Sequence, residues 1–321
     1  MRNPDHDAIL TAALRAPSAH NAQPWRLVVA EQCYELHYDH ADYLPFDPDD
    51  RDAYLCLGAF VETMSLAAMR HRHRVEFEPV FSRHGSDFFV GRITLRMADA
   101  NEQVDALAAA TDRHTNRCEY DTTPLTAELV EELHALGCVM VPPAAMSRLV
   151  ARASVCAWRD PRFVRDLRAW FSLDAASPAG MTPAGLPLTK VETRALMMAL
   201  KAGRLPAPLA SVFASRDVRL LRRANSVAVL TADDLSPAAL FDAGRRLLRC
   251  WTAICATGFA YHPISIAVDR PETAPDVALI CGARNPVAVF RVGHPTRVAP
   301  RSNRRPLSAV VQPAMAEQLD G

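Results

Sequence analysis

The chain has 321 residues and a mass of 35.3 kDa; half of its residues are apolar and 22% are charged. That is material for a sizeable core in one or two domain-sized units, and it excludes bulk disorder. Lys+Arg and Asp+Glu each number 36, so the formal charge is zero and there is no electrostatic footprint for nucleic acid or an anionic membrane. Lys190 and Lys201 are the only lysines, which leaves nearly all positive charge to arginine, a planar fork suited to phosphate and carboxylate.

The polar N-terminus, mixed in charge, lacks a basic segment followed by an apolar one, so no export signal is expected. Eight scattered cysteines, none in a CxxC pair, read as reduced small hydrophobes rather than a zinc or redox site, and cytoplasmic localisation is expected. An initial helix leads into a polar loop over 16–26, followed by strand patterns over 26–30 and 34–38. A helix over 53–69 is apolar nearly all round but carries Glu62 in its middle. His71 and His73 close it with a basic cluster that complements the helix dipole; metal binding is the weaker reading there. A strand over 91–97 and a helix over 125–136 come next. Residues 172–210 are rich in Pro and Gly around a helical run at 190–201, and read either as a surface excursion or as a lid. A strand over 226–231 leads to a second apolar helix over 238–261, bearing Asp242, Arg245, Arg246 and Arg249, and then to a strand over 286–292. Charges at those depths argue against membrane spanning and for burial of both helices inside a soluble protein. The two helices also repeat a pattern: acidic lead-in, glycine (Gly58, Gly244), apolar helix, proline (Pro79, Pro263). We expect two related α+β halves, residues 1–110 and 111–321.

No two glycines are separated by a single residue, so GxGxxG is impossible; GxxxxGK[ST], HExxH and GxSxG are absent too. The segment that stands out runs from Ala16 to Arg26 and packs Ser18, Asn21, Gln23 and Trp25 between Pro17 and Pro24. It is either an ordinary helix-to-strand turn or a loop offering hydrogen bonds to a polyhydroxy chain or heterocycle edge. Arg113, Thr115 and Arg117 stand at a spacing suited to a phosphate, and Arg301, Arg304 and Arg305 form a third basic group near the C-terminus. Solvated surface charge is the alternative for both groups.

Together these segments resemble the nitroreductase (flavin reductase) superfamily, whose PSxxNxQPW loop is matched by Pro17, Ser18, Asn21, Gln23, Pro24 and Trp25. The closer likeness is to the Acg-like branch, in which two such halves are fused. The resemblance implies an α+β nitroreductase-type fold, a pseudo-dimer with central antiparallel sheets and long buried helices at the shared interface. It implies FMN held between the halves: Arg113 and Thr115 as phosphate clasp with Arg117 beside them, Arg304 with Arg301 and Arg305 as the C-terminal phosphate group. Ser18, Asn21 and Gln23 would face the ribityl chain and ring edge, and Ser265 and Ile266 would bring backbone N–H groups to flavin N5. Each half carries one half-site, so one FMN per chain and a monomer are expected. Many members place a lysine near flavin N1 and O2; here that position falls near Leu220, and Arg219 is the neighbouring substitute. The implied activity is hydride transfer through flavin N5 to a small electrophile, with NAD(P)H as reductant. The alternatives are FMN storage without NAD(P)H turnover, or a biosynthetic oxidase whose own substrate reduces the flavin. No catalytic side chain and no metal ligand is expected.

Overall fold

The computed structural model describes residues 4–30, 32–39, 47, 49–85, 87–99, 107 and 113–313. The boundary expected at 110/111 lies outside the described residues. Helix α1 (Pro4–Ala13) buries Ile9, Leu10 and Ala13; strands β1 (Trp25–Val29) and β2 (Tyr34–Asp39) pair antiparallel. Helix α2 (Arg51–Arg70) follows, then the long strands β3 (His73–His84) and β4 (Asp87–Met97). The second part opens with α3 (Ala127–Ala135), capped by the Thr126 hydroxyl, which accepts from Leu129 N. Then come β5 (Cys138–Val141), α4 (Pro143–Arg159), α5 (Pro161–Ala169), α6 (Lys190–Ala202) and α7 (Ala207–Arg222). Strand β6 (Ser226–Thr231), helix α8 (Pro237–Ala256), β7 (Ala260–Pro263), α9 (Ile266–Asp269), α10 (Ala274–Cys281), β8 (Pro286–Gly293), α11 (Leu307–Val310) and β9 (Val311–Gln312) complete it.

The strands form two sheets, one in the order β3-β4-β2-β1-β9 and one in the order β5-β6-β8-β7. All pairings are antiparallel except β1 with β9, so the C-terminal strand crosses to the sheet of the first half and pairs Leu27 with Val311. The fold is α+β, with one sheet antiparallel throughout, the other antiparallel except for β9, and the long helices α2 and α8 packed against each other.

Those helices explain the repeat seen in the sequence. Gly58 of α2 and Gly244 of α8 sit at their crossing: a Cβ on Gly58 would lie 1.9 Å from Phe241 O, and one on Gly244 would lie 2.2 Å from Leu55 O. Only glycine lets the backbones approach so closely. The charges inside the two apolar helices meet each other. Glu62, 2% exposed, accepts from Arg245 Nε at 2.9 Å and from Arg249 Nη1 at 2.7 Å, so the acid of one helix is paired and hydrogen-bonded by the bases of the other. Helix α2 is long and apolar enough to cross a membrane, but 83% of its apolar window is buried in the protein. Stacked rings extend the core to both sheets: Trp25 on Phe60 at 4.8 Å, Phe77 on Phe241 at 4.7 Å and Trp251 on Tyr261 at 4.4 Å. A separate apolar cluster of Trp158, Val164, Leu196, Leu200 and Leu205 packs α4 to α7 together.

Candidate functional site

The loop between α1 and β1 is held in an uncommon backbone shape. His20, Asn21 and Gln23 all have positive φ (49°, 60° and 55°), and the Ser18 hydroxyl closes the loop by accepting from Gln23 N at 3.0 Å. Three non-glycine residues in the left-handed region cost energy that their surroundings must offset. The offset is visible. Gln23 is fully buried; its Nε2 donates to Pro178 O at 2.8 Å and its Oε1 accepts from Arg305 N at 2.8 Å. Asn21 Nδ2 donates to Gly180 O and to Asn303 O, both at 3.2 Å. Asn21 and Gln23 thus tie two distant segments, residues 178–181 and 303–305, onto the loop.

Beside the loop lies a compartment of about 70 Å³ whose lining includes Arg15, Ser18, Asn21, Arg113, Thr115, Arg117 and Arg304. Arg113 donates to the Tyr261 hydroxyl and to Arg15 O, and Arg304 donates to Arg15 O and Ala16 O at 3.4 and 3.2 Å. Arg117 donates to Gly185 O at 3.3 Å. Among the described residues none of Arg15, Arg113, Arg117 or Arg304 forms an ion pair with a carboxylate, and Arg304 Nε is buried without a partner. Burial first, and then the Arg15 and Arg113 charges, push the Arg304 guanidinium down to about 9; burial with Arg301 and Arg113 lowers Arg15. Guanidinium does not give up its proton in a protein, so these shifts express uncompensated positive charge, the condition an anion relieves.

This compartment adjoins a cavity of about 1140 Å³; Pro17, Ser18, His20, Thr115 and Arg117 line both. The larger wall is drawn from both halves: Leu55, Cys56 and Ala59 of α2, Leu240, Leu247 and Trp251 of α8, the turn His262 to Ile266, and Ser154, Trp158 and Asp217 from α4 and α7. Ser265 and Ile266 face it, as do Asp52 and Asp269 around Arg51. Burial pushes the Asp269 carboxyl up to about 6 and raises Asp217, whose Oδ2 accepts from Ser154 Oγ at 3.3 Å. Burial lowers His20 to about 4.

Eight of the residues singled out in the sequence therefore line one continuous site: Ser18, Asn21, Arg113, Thr115, Arg117, Ser265, Ile266 and Arg304. Gln23 and Arg305 stand behind the loop, and Arg301 is exposed outside it, acting on Arg15 through charge. The expectation for Arg219 is corrected. It lines a separate groove of about 550 Å³ between α4 and α7, with Ala151 and Val155, and Leu220 is buried; the arginines that line the large cavity are Arg51, paired with Asp52 and Asp269, and Arg117. Sequence reasoning missed Arg15, Asp217 and His262. Arg15 stands one residue before the polar loop, Asp217 lies in a charged helical run with Arg216 and Arg219, and His262 lies in the short strand before Ser265; nothing local in either stretch marks the side chain as facing a cavity.

Over 203 residues the chain is 30% identical to two proteins, from two strains of Mycobacterium tuberculosis, each named "Putative NAD(P)H nitroreductase"; the match spans 58% of this chain and 57% of theirs. Over that stretch the chain is similar to proteins named as nitroreductases. It spans little more than half the length of these relatives. No protein-family profile matches it. Among solved structures, the FMN-dependent nitroreductase NfnB from Mycobacterium smegmatis, in complex with NADPH, is 20% identical with a TM-score of 0.39, covering 64% of this chain and 98% of that one. A "putative nitroreductase" from Anabaena variabilis is 11% identical with a TM-score of 0.48, covering 92% of this chain and 90% of that one.

Proposed function

We propose that this protein binds one FMN per chain and is an oxidoreductase of the nitroreductase type. The observation that carries the reading is the arginine compartment, a set of guanidinium groups without carboxylate partners among the described residues, opening onto a cavity slightly larger than the usual range for small-molecule sites. A phosphate monoester supplies the missing charge and takes the forks bidentately; the cavity behind it has room for a ring system and a small substrate. We assign the phosphate to Arg113, Thr115 and Arg304, with Arg15 beside them and Arg301 and Arg305 adding to the field. Ser18 and Thr115 line the passage between phosphate and ring, and Asn21 and Gln23 act by holding the loop. Ser265 and Ile266 line the ring compartment. Arg117, which touches both compartments, takes the place the resemblance gives to lysine and favours negative charge on a reduced ring.

FMN, when bound, supplies two-electron hydride chemistry at N5. The chain's own residues bind, orient and exclude water; the apolar faces of Leu55, Leu240, Leu247 and Trp251 keep the reacting volume dry. NAD(P)H is the proposed reductant and a small electrophile the acceptor. We divide the chain into halves at 110/111, each giving part of one site, and propose a monomer, because both interface helices lie in one chain. A second reading, FMN storage without turnover, is favoured by residues 180–186, whose Gly180, Met181, Thr182 and Gly185 form part of the wall of the arginine compartment. In that role residues 172–210 act as a lid.

The visible spectrum of the purified protein, loaded with FMN and then mixed anaerobically with NADPH, tests these readings. Stoichiometric flavin that bleaches supports the oxidoreductase. Flavin that bleaches only with dithionite supports storage, and failure to bind FMN overturns both.

A further inference from the structure

We propose that His262 is a fixed, neutral hydrogen-bond donor that selects acceptors in which an oxygen gains negative charge on reduction; this rests on the flavin reading above. His262 is 9% exposed, lies on β7 and lines the large cavity two residues before Ile264 and three before Ser265. Its Nδ1 is 3.1 Å from Arg291 Nε. Guanidinium Nε–H can only donate, so Nδ1 must be the unprotonated acceptor and the ring proton must sit on Nε2. The arginine cannot move away to permit another arrangement. It is fully buried, donates to Leu220 O at 3.1 Å and to Cys118 O, and stacks on the Tyr120 ring at 3.9 Å.

His262 Nε2 has no partner among the described residues and is not closed off by protein, so the N–H is presented to the cavity. The charged groups around the ring are Arg291, Arg117 and Arg216; together with burial, which acts most strongly, they oppose a second proton, while Asp217 lines the same cavity. A donor that stays neutral can hydrogen-bond an oxygen without transferring its proton. When an acceptor takes hydride from the reduced flavin, two electrons and one proton arrive together. In nitroarenes and enones the negative charge falls on oxygen, which the Nε2–H meets, and the second proton comes from water. One-electron acceptors without such an oxygen gain nothing from it.

Two measurements decide. Nitrogen NMR of the protein, with or without FMN, is expected to show His262 neutral and protonated at Nε2 from pH 5 to 9; a histidine that titrates near 6.5, or carries its proton on Nδ1, overturns the proposal. In stopped flow, dithionite-reduced holoenzyme is mixed with nitrofurazone or with ferricyanide. H262L is expected to slow nitrofurazone reduction on the order of 10²-fold with ferricyanide unaffected, and H262Q, which retains an acceptor for Arg291 and a donor for the cavity, to restore most of the rate. Equal loss with both acceptors, or no loss with nitrofurazone, overturns the proposal while leaving flavin binding intact; a protein that takes up no FMN defeats the flavin reading instead, and the NMR result still decides the state of His262.

Discussion

Replacing Arg113 and Arg304 by alanine probes the anion site most directly, because both guanidinium groups line the small compartment and neither forms an ion pair among the described residues. In the free protein Arg304 donates only to main-chain carbonyls, of Arg15, Ala16, Ser302 and Asn303. Its removal also relieves repulsion from Arg15 and Arg113. The two effects oppose each other, so the fold should survive with little net change. If the FMN phosphate binds where we propose, each arginine would contribute charge-assisted hydrogen bonds of about 1.5–3 kcal/mol. Loss of both is therefore expected to weaken FMN by about 3–6 kcal/mol, which at 1.4 kcal/mol per decade is roughly 10² to 10⁴ in Kd. Titration calorimetry, or quenching of flavin fluorescence, reads this directly. R304K separates charge from geometry: it should recover part of the affinity, since lysine keeps the charge but not the bidentate fork. A double variant that binds FMN within threefold of the parent, with an unchanged circular dichroism spectrum, would refute the placement of the phosphate.

Gly58→Ala puts a methyl where Phe241 O already stands, at 1.9 Å from the ideal Cβ position, and a main-chain oxygen cannot swing aside. The α2–α8 crossing must open, and a loss on the order of 3 kcal/mol is expected in urea unfolding; a loss below about 0.5 kcal/mol, the range of neutral surface changes, would show that the crossing is not the close contact described. His20 provides a pH signature. Burial depresses its pKa from 6.5 to about 4, so the folded state favours the neutral ring; its contribution is fully present above about pH 6.5 and is lost as the pH falls towards 4. Asp269, raised to about 6, runs in the opposite direction over part of that window, but comparison of the parent with H20Q cancels it. The parent should lose stability relative to H20Q by up to about 1.4 kcal/mol per pH unit between those limits; parallel pH profiles would sink the assignment.

What could be read in the sequence, and what could not, follows the range of the interactions involved. The long helices were legible because a nearly all-round apolar pattern is a local property, and their interruptions, Glu62 against Arg245 and Arg249, turn out to be partners of one another. The repeated glycines were legible as a pattern, but their reason, the approach of two backbones, exists only once α2 and α8 cross. The arginines were legible as residue types. That Arg15, Arg113, Arg117 and Arg304 share one compartment depends on a C-terminal segment returning to α1, a contact across nearly the whole chain that no local pattern encodes. The loop at Ser18–Gln23 shows the opposite error: its polar residues stand out whether they touch a ligand or the protein itself, and here Gln23 spends its amide on Pro178 and Arg305. His262 was legible in neither way. A histidine inside an apolar strand has no distinctive neighbour in sequence, and its protonation state is dictated by Arg291, 29 residues later and one strand across the sheet. A polar group of that kind, fixed by a partner on the adjacent strand, becomes legible only once the sheet register is known.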